Sequence, residues 1–185
     1  MRPNRISWSL LLLPGLFLLV LLITPAIAAK HDLIGKPAPE FTQSAADDWL
    51  NSKPLQVADL AGKVVLLDFW TFGCWNCYNS FPWIKSLEEK HAGKPFKVVG
   101  VHSPEFEHEK NRTKLREKIA EFGLSHAIMV DNDFHYWRAM HNRYWPAFYI
   151  LDKHGVIRGF YAGETHTGDS QSRRIGNLIA RLLKE

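Results

Sequence analysis

The chain has 185 residues, with 23 Lys plus Arg, 19 Asp plus Glu, nine His and a formal net charge of +4. Its basic residues are scattered among acids rather than gathered into a stripe, which argues for a solvated mixed surface and against a nucleic-acid partner. It holds no long repeat and no low-complexity block, so neither a solenoid nor a disordered tract is indicated.

Arg2 and Arg5 precede an uncharged, Leu-rich stretch from Ile6 to Ala29 that ends in Ala26-Ile27-Ala28. A positive n-region, an apolar h-region and a small-x-small site describe a secretory signal peptide over 1–28. The same stretch is long enough to serve as an uncleaved membrane anchor, although Pro14-Gly15 interrupts it and Pro25 marks its end. Either reading leaves residues 29–185, a length that suits one domain, on the exported side of a membrane.

That domain opens on an extended segment, Gly35-Lys-Pro-Ala-Pro-Glu-Phe41, where two prolines forbid helix. Residues 44–62 read as a short helix or turn with a small strand near Pro54 to Val57. An apolar run, Val64 to Trp70, predicts a buried strand, and a helix follows over about 75–91 with Tyr78, Phe81, Ile84 and Leu87 inward. Strand 96–102 comes next, then a charged amphipathic helix over about 107–122 with Leu115, Ile119 and Phe122 on one face. Short strands at 127–130 and 147–151 flank a short helix over 134–143. The turn Asp152-Lys-His-Gly155 makes a hairpin to strand 156–161. The last helix, about 171–184, spaces Ile175, Leu178, Ile179 and Leu182 for burial. Alternating strands and helices closed by a hairpin give an α/β class, a mixed sheet covered on both faces.

Cys74 and Cys77, the only cysteines, sit as Cys-Trp-Asn-Cys between the first long strand and its helix. A thiol at a helix N-terminus meets unpaired backbone N–H groups and the positive end of the macrodipole, both of which favour thiolate and hence reactivity near neutral pH. Cys74 is therefore the expected nucleophile and Cys77, one turn on and facing the same way, the resolving thiol. An inert buried pair or half of a zinc site are the alternatives that spacing alone leaves open. Asp68 lies six residues before Cys74 on an otherwise apolar strand, so burial would raise its pKa and make it a candidate proton acceptor for Cys77. Glu105 and Glu109 are second-choice acids, expected as ordinary surface charge. Among the tryptophans, Trp75 and Trp145 are expected to flank the reactive sulfur as an apolar rim for a protein or peptide, Trp70 and Trp137 to enter the core, and Trp49 and Trp83 to go either way.

The order of elements, with Asp68-Phe-Trp70, Cys74-x-x-Cys77, Pro82 in the helix and Pro146 before a late strand, resembles the thioredoxin fold with an N-terminal extension. Gly35 to Phe41 resembles the membrane-associated TlpA/ResA branch. Trp70-Thr-Phe-Gly-Cys-Trp-Asn-Cys77, Gly100-Val-His-Ser-Pro-Glu-Phe106, Asp131-Asn-Asp133 and Tyr144-Trp-Pro146 are similar to the redoxin domain of DipZ-type, CcdA-fused thiol-disulfide transporters. The resemblance implies a redox-active Cys74–Cys77 disulfide, the proton-acceptor role for Asp68 and a cis-proline at Pro146. It also implies that Trp145 offers main-chain hydrogen bonds to an extended substrate. The implied partners are a protein or peptide disulfide and a membrane electron donor of the CcdA/DsbD type. No cofactor is implied, and the implied location is the periplasm, free or membrane-anchored. Ser80 stands where the TlpA/ResA pattern carries a glutamate, which shifts the acid role toward Asp68. A disulfide-forming oxidant would use the same residues. A copper-type metallochaperone would add His102 or His135 to Cys74 and Cys77, although its cysteines are usually one residue further apart. A peroxidase would need a setting around its nucleophile that Asp68 to Cys74 lacks.

Overall fold

The computed structural model describes residues 31–185, so the expected leader at 1–28 lies outside the described residues. Val64–Trp70 is a strand buried at all seven positions, because it is paired on both edges and covered on both faces. Counting from the N-terminus, Trp49–Leu50 is β1, Val64–Trp70 β2, Phe96–His102 β3, Ala127–Val130 β4, Ala147–Leu151 β5 and Ile157–Ala162 β6. The helices are α1 (Trp75–Lys90), α2 (Arg112–Phe122), α3 (His135–Ala139) and α4 (Ser170–Leu182). The sheet order is β1-β4-β3-β2-β5-β6. β2, β3 and β4 run parallel, whereas β5 pairs antiparallel with β2 and β6 with β5.

Two crossovers that step the same way along a sheet, β2 to β3 and β3 to β4, place their helices on one face when both are right-handed. Phe81, Ile84 and Leu87 of α1, Leu115 and Ile119 of α2, and Ile175 and Ile179 of α4 accordingly share a core with Val64, Leu66 and Trp70 of β2. The alternate residues Val65, Leu67 and Phe69 face a second core with Tyr136, Met140, Trp49 and the lead-in residues Leu33 and Ala38. Pro37 bridges to Val156, which fastens the N-terminal extension to the hairpin. Among the described residues, no helix is long and apolar enough to cross a membrane.

The thioredoxin fold expected from the sequence is present, with five local differences. No strand forms at Pro54 to Val57: Val57–Leu60 is a 3-10 turn capped reciprocally by Gln56 and Asp59, and the short strand is β1 instead. The charged helix breaks at Asn111, whose side chain caps Lys114 N–H, so Glu107–Lys110 is a separate 3-10 turn. α3 is shorter than its apolar pattern, ending before His141, which takes a left-handed φ of 50°. Tyr78 is exposed rather than inward, stacked on Trp75. Trp137 is half-buried and packs against Trp145, while Trp49 and Trp83 are both core.

Candidate active site

β2 ends at Trp70 and the chain turns through Thr71-Phe72-Gly73 into α1, so Cys74 becomes the N-cap residue of a 16-residue helix. Its carbonyl accepts from Cys77 and Tyr78 N–H, and its sulfur accepts from Cys77 N–H at 3.1 Å. Cys74 and Cys77 are joined in a disulfide with Cα atoms 5.3 Å apart. Cys74 is half-buried at the surface and Cys77 is sealed at 1% exposure. The helix start thus presents one sulfur and hides the other, an arrangement in which an incoming thiolate or disulfide reaches Cys74 alone.

Pro146 follows a cis peptide bond from Trp145. Since Phe69 pairs with Ala147, Trp145 and Pro146 lie at the end of the sheet from which the cysteine loop departs. Trp145 is fixed by its indole N–H to Ser103 O at 2.9 Å and by Trp137 at 4.1 Å between ring centroids. The large hydrophobic side chains that stay exposed among the described residues, Trp75, Tyr78, Phe106 and Tyr144, all belong to this end. Trp75 and Tyr78 open α1, Phe106 follows β3, and Tyr144 precedes β5.

Asp68 sits mid-strand between Gly100 and Phe148, on the face of β2 that carries Val64, Leu66 and Trp70 toward Cys77 and α1. It is 1% exposed and neither carboxylate oxygen has a hydrogen-bond partner. Burial, reinforced by the nearby negative charge of Glu88, pushes its pKa up to about 8. A carboxylic acid in that range is poised to exchange a proton near neutrality.

Glu109, expected on the surface, is fully buried. One oxygen accepts Gly73 N–H at 2.7 Å and the other accepts Glu105 and Phe106 N–H at 2.6 and 2.8 Å. The carboxylate therefore ties the loop before Cys74 to the loop after β3. Gly73 is required by that tie, because a methyl group there would stand 2.2 Å from Glu109 Oε1. No linear signal reveals this role, since Glu109 belongs to a run of acids 36 residues from its partner. Glu105 adds only its backbone N–H.

Ser80, standing where the TlpA/ResA pattern has an acid, is also buried. It donates to Asn76 O at 2.8 Å and accepts Thr165 N–H at 3.0 Å, which docks the loop after β6 onto α1. His102 is sealed beside Trp70 and Phe72 and shares a hydrogen bond with Thr71 at 3.2 Å. Burial depresses its pKa to about 3, so it stays neutral. His135 is exposed on α3. Among the described residues no three His, Cys, Asp or Glu side chains gather as metal ligands, and neither histidine completes a set with the cysteines.

A family model described as Redoxin matches residues 33–178. The chain is 38% identical over 140 residues to protein DipZ of Mycobacterium tuberculosis, covering 74% of this chain and 19% of that one. It is 34% identical over 150 residues to the thiol-disulfide oxidoreductase YkuV of Bacillus subtilis, covering 81% of this chain and 96% of that one. A solution structure of a thioredoxin-like protein in its oxidised form aligns with a TM-score of 0.67 at 32% identity, covering 80% of this chain and 95% of that one. The larger curated relatives are much longer, and the chain spans 12% to 19% of their length.

An unfolded aspartate titrates near 3.8 and Asp68 near 8, so the folded protein binds the extra proton between those values. The stability associated with protonated Asp68 is complete below about pH 4 and is lost as pH rises through about 8. In thermal melts, Asp68→Asn should therefore gain on the wild-type protein as pH rises across that window and level off above it. A constant difference would show that Asp68 is not buried as described. Glu109→Ala removes the shared acceptor of three backbone N–H groups and should cost about 3 kcal/mol in denaturant unfolding. Gly73→Ala should add little on top of it, because both changes break the same tie; full additivity would separate them.

Proposed function

The chain belongs to the redoxin family of thioredoxin-like thiol-disulfide oxidoreductases, and from that premise we propose that it is an exported reductant of protein disulfides working through Cys74 and Cys77. The observation that carries this reading is the one-sided exposure of the pair, at the single end of the sheet where Trp75, Tyr78, Phe106 and Tyr144 remain uncovered. Aromatic side chains left in water at a reactive sulfur supply apolar contact area for a protein or peptide, more than a small thiol would use.

In the proposed cycle, reduced Cys74 attacks as thiolate, forms a mixed disulfide with one substrate sulfur and expels the other as thiolate, which takes a proton from solvent. Cys77 then gives its proton to Asp68 in its carboxylate form and attacks Cys74 Sγ. The second substrate sulfur leaves as thiolate and is protonated, Asp68 gives up the proton it took, and two electrons have passed from the dithiol to the substrate. Trp75, Trp145 and Pro146 are assigned to substrate binding around Cys74. The substrate's extended backbone would lie along the Trp145-Pro146 segment. Export rests on the leader pattern of residues 1–28. The resemblance to CcdA-fused transporters supports a membrane electron donor of the CcdA/DsbD type, which would return Cys74–Cys77 to the dithiol.

Trapping tests the roles of the sulfurs. Cys77→Ser should accumulate covalent adducts with disulfide-bonded proteins and Cys74→Ser none, as read on non-reducing gels; equal trapping by both would reverse the assignment. Equilibration of the full chain with glutathione buffers tests direction. A potential near ~-270 mV supports the reductant, whereas one near ~-120 mV would make the protein an oxidant.

A further inference from the structure

Cys74 stands between two opposed electrostatic influences. As the N-cap residue of α1 it lies at the positive end of a 16-residue helix, and its sulfur accepts Cys77 N–H at 3.1 Å. Both stabilise a thiolate. The first turn of α1 carries no acidic residue, so an opposing charge has to come from another element. Glu109 supplies it. The residue is fully buried, and one carboxylate oxygen accepts the N–H of Gly73, the residue before Cys74, at 2.7 Å. Standard covalent geometry from that hydrogen bond puts the carboxylate within about 10 Å of Cys74 Sγ.

The carboxylate has donors but no counter-ion. Its other oxygen accepts Glu105 and Phe106 N–H at 2.6 and 2.8 Å, and three N–H dipoles hold a negative charge in place without cancelling it. No ion pair among the described residues includes Glu109, and the adjacent Lys110 is taken by Glu107 at 2.7 Å. A buried charge is also poorly screened by salt. At about 10 Å and an effective dielectric constant of about 20, it opposes ionisation of Cys74 by about one pH unit. The other titratable groups at this end act differently. His102 from β3 stays neutral, and Asp68 on β2 is protonated below about pH 8. Asp131 after β4 is engaged by Tyr136 and Trp137 N–H, and His166 after β6 pairs with Glu164. Tyr78 on α1 and Glu105, Glu107 and His108 after β3 are exposed, where water screens them.

We propose that Glu109 sets the reducing strength of the pair: its buried charge destabilises the Cys74 thiolate, leaves the neutral disulfide untouched and so favours passage of electrons from the dithiol to substrate. The proposal deepens the reading of the protein as a reductant and rests on Cys74 being the thiol that ionises. Glu109 touches neither substrate nor sulfur and is a positioning residue, held in place by a Gly73 that has no Cβ to push the carboxylate away. A tie acting without charge would have the opposite sign. Its loss would free Gly73, loosen the start of α1 and weaken the support of the thiolate. Exchange with glutathione reports the difference: two glutathione thiols reduce the Cys74–Cys77 disulfide to the dithiol and leave as one glutathione disulfide, so two electrons and two protons pass to the pair.

The test compares the full chain with Glu109→Gln, which keeps one acceptor oxygen for Gly73 N–H and removes the charge. The pH midpoint for alkylation of Cys74 in the reduced protein should fall by about one unit. In glutathione buffers at a pH above both midpoints, the equilibrium should shift about tenfold toward the dithiol, which is about 30 mV in potential. A midpoint that stays or rises would overturn the proposal and leave Glu109 as a bracket between loops. The reductant reading fails separately, on a wild-type potential near ~-120 mV, whatever the difference between the two proteins. Should Glu109→Gln not fold, the wild-type midpoint decides. Cysteines at helix starts titrate from ~3.5 to ~7.5; a value above ~6 for Cys74 agrees with an opposing charge, and a lower one overturns it.

Discussion

Everything at the site depends on β2 being hydrogen-bonded along both edges, to β3 over seven residue pairs and to β5 over five. A strand held in this way has no freedom to slip, because a shift of one residue would turn Val64, Leu66 and Trp70 away from α1 and bring Val65, Leu67 and Phe69 toward it. The fixed register sets three positions together. Cys74 is delivered to the start of α1, Pro146 stands beside the end of β2, and Asp68 lies in the middle of the sheet with no route of its own to water.

The two buried carboxylates illustrate how similar residues come to different uses. Glu109 receives three backbone N–H groups, which hold it as a bracket between two loops. Asp68 receives none, and its burial without a donor raises its hold on a proton. Burial is common to both; hydrogen bonding separates them. The same distinction applies at Ser80, where two satisfied hydrogen bonds join α1 to the loop after β6 and leave no acid beside Cys77 from that position.

The molecule is also unequal between its two ends. Exposed aromatics collect where the disulfide lies, and a polar cleft with lysines and two histidines opens where β3 and β4 begin. On the proposed function, the first end exchanges electrons with a protein.

Most of the fold was legible in the sequence because its signals are local and strongly periodic. The unbroken apolar run of β2, the spaced Ile175, Leu178, Ile179 and Leu182 of α4, and the Gly155 turn each declare an element. The cysteine spacing and its strand-to-helix setting declared the chemistry for the same reason. Misplaced features were those decided by distant partners. β1 forms at Trp49-Leu50 because Met129 and Ile128 pair with it, and Tyr78 stays in water although its spacing matches the buried face of α1.

What the sequence determined by itself was the reactive pair, the mixed sheet and an aspartate set among apolar neighbours, since these follow from residue type and short-range order. Only the tertiary structure decided that Glu109 turns inward to hold Gly73, that Asp68 finds no hydrogen-bond donor, and that His126 meets Glu88. Those outcomes depend on groups that meet across separations such as 36 and 38 positions, and a linear pattern carries no measure of such distances.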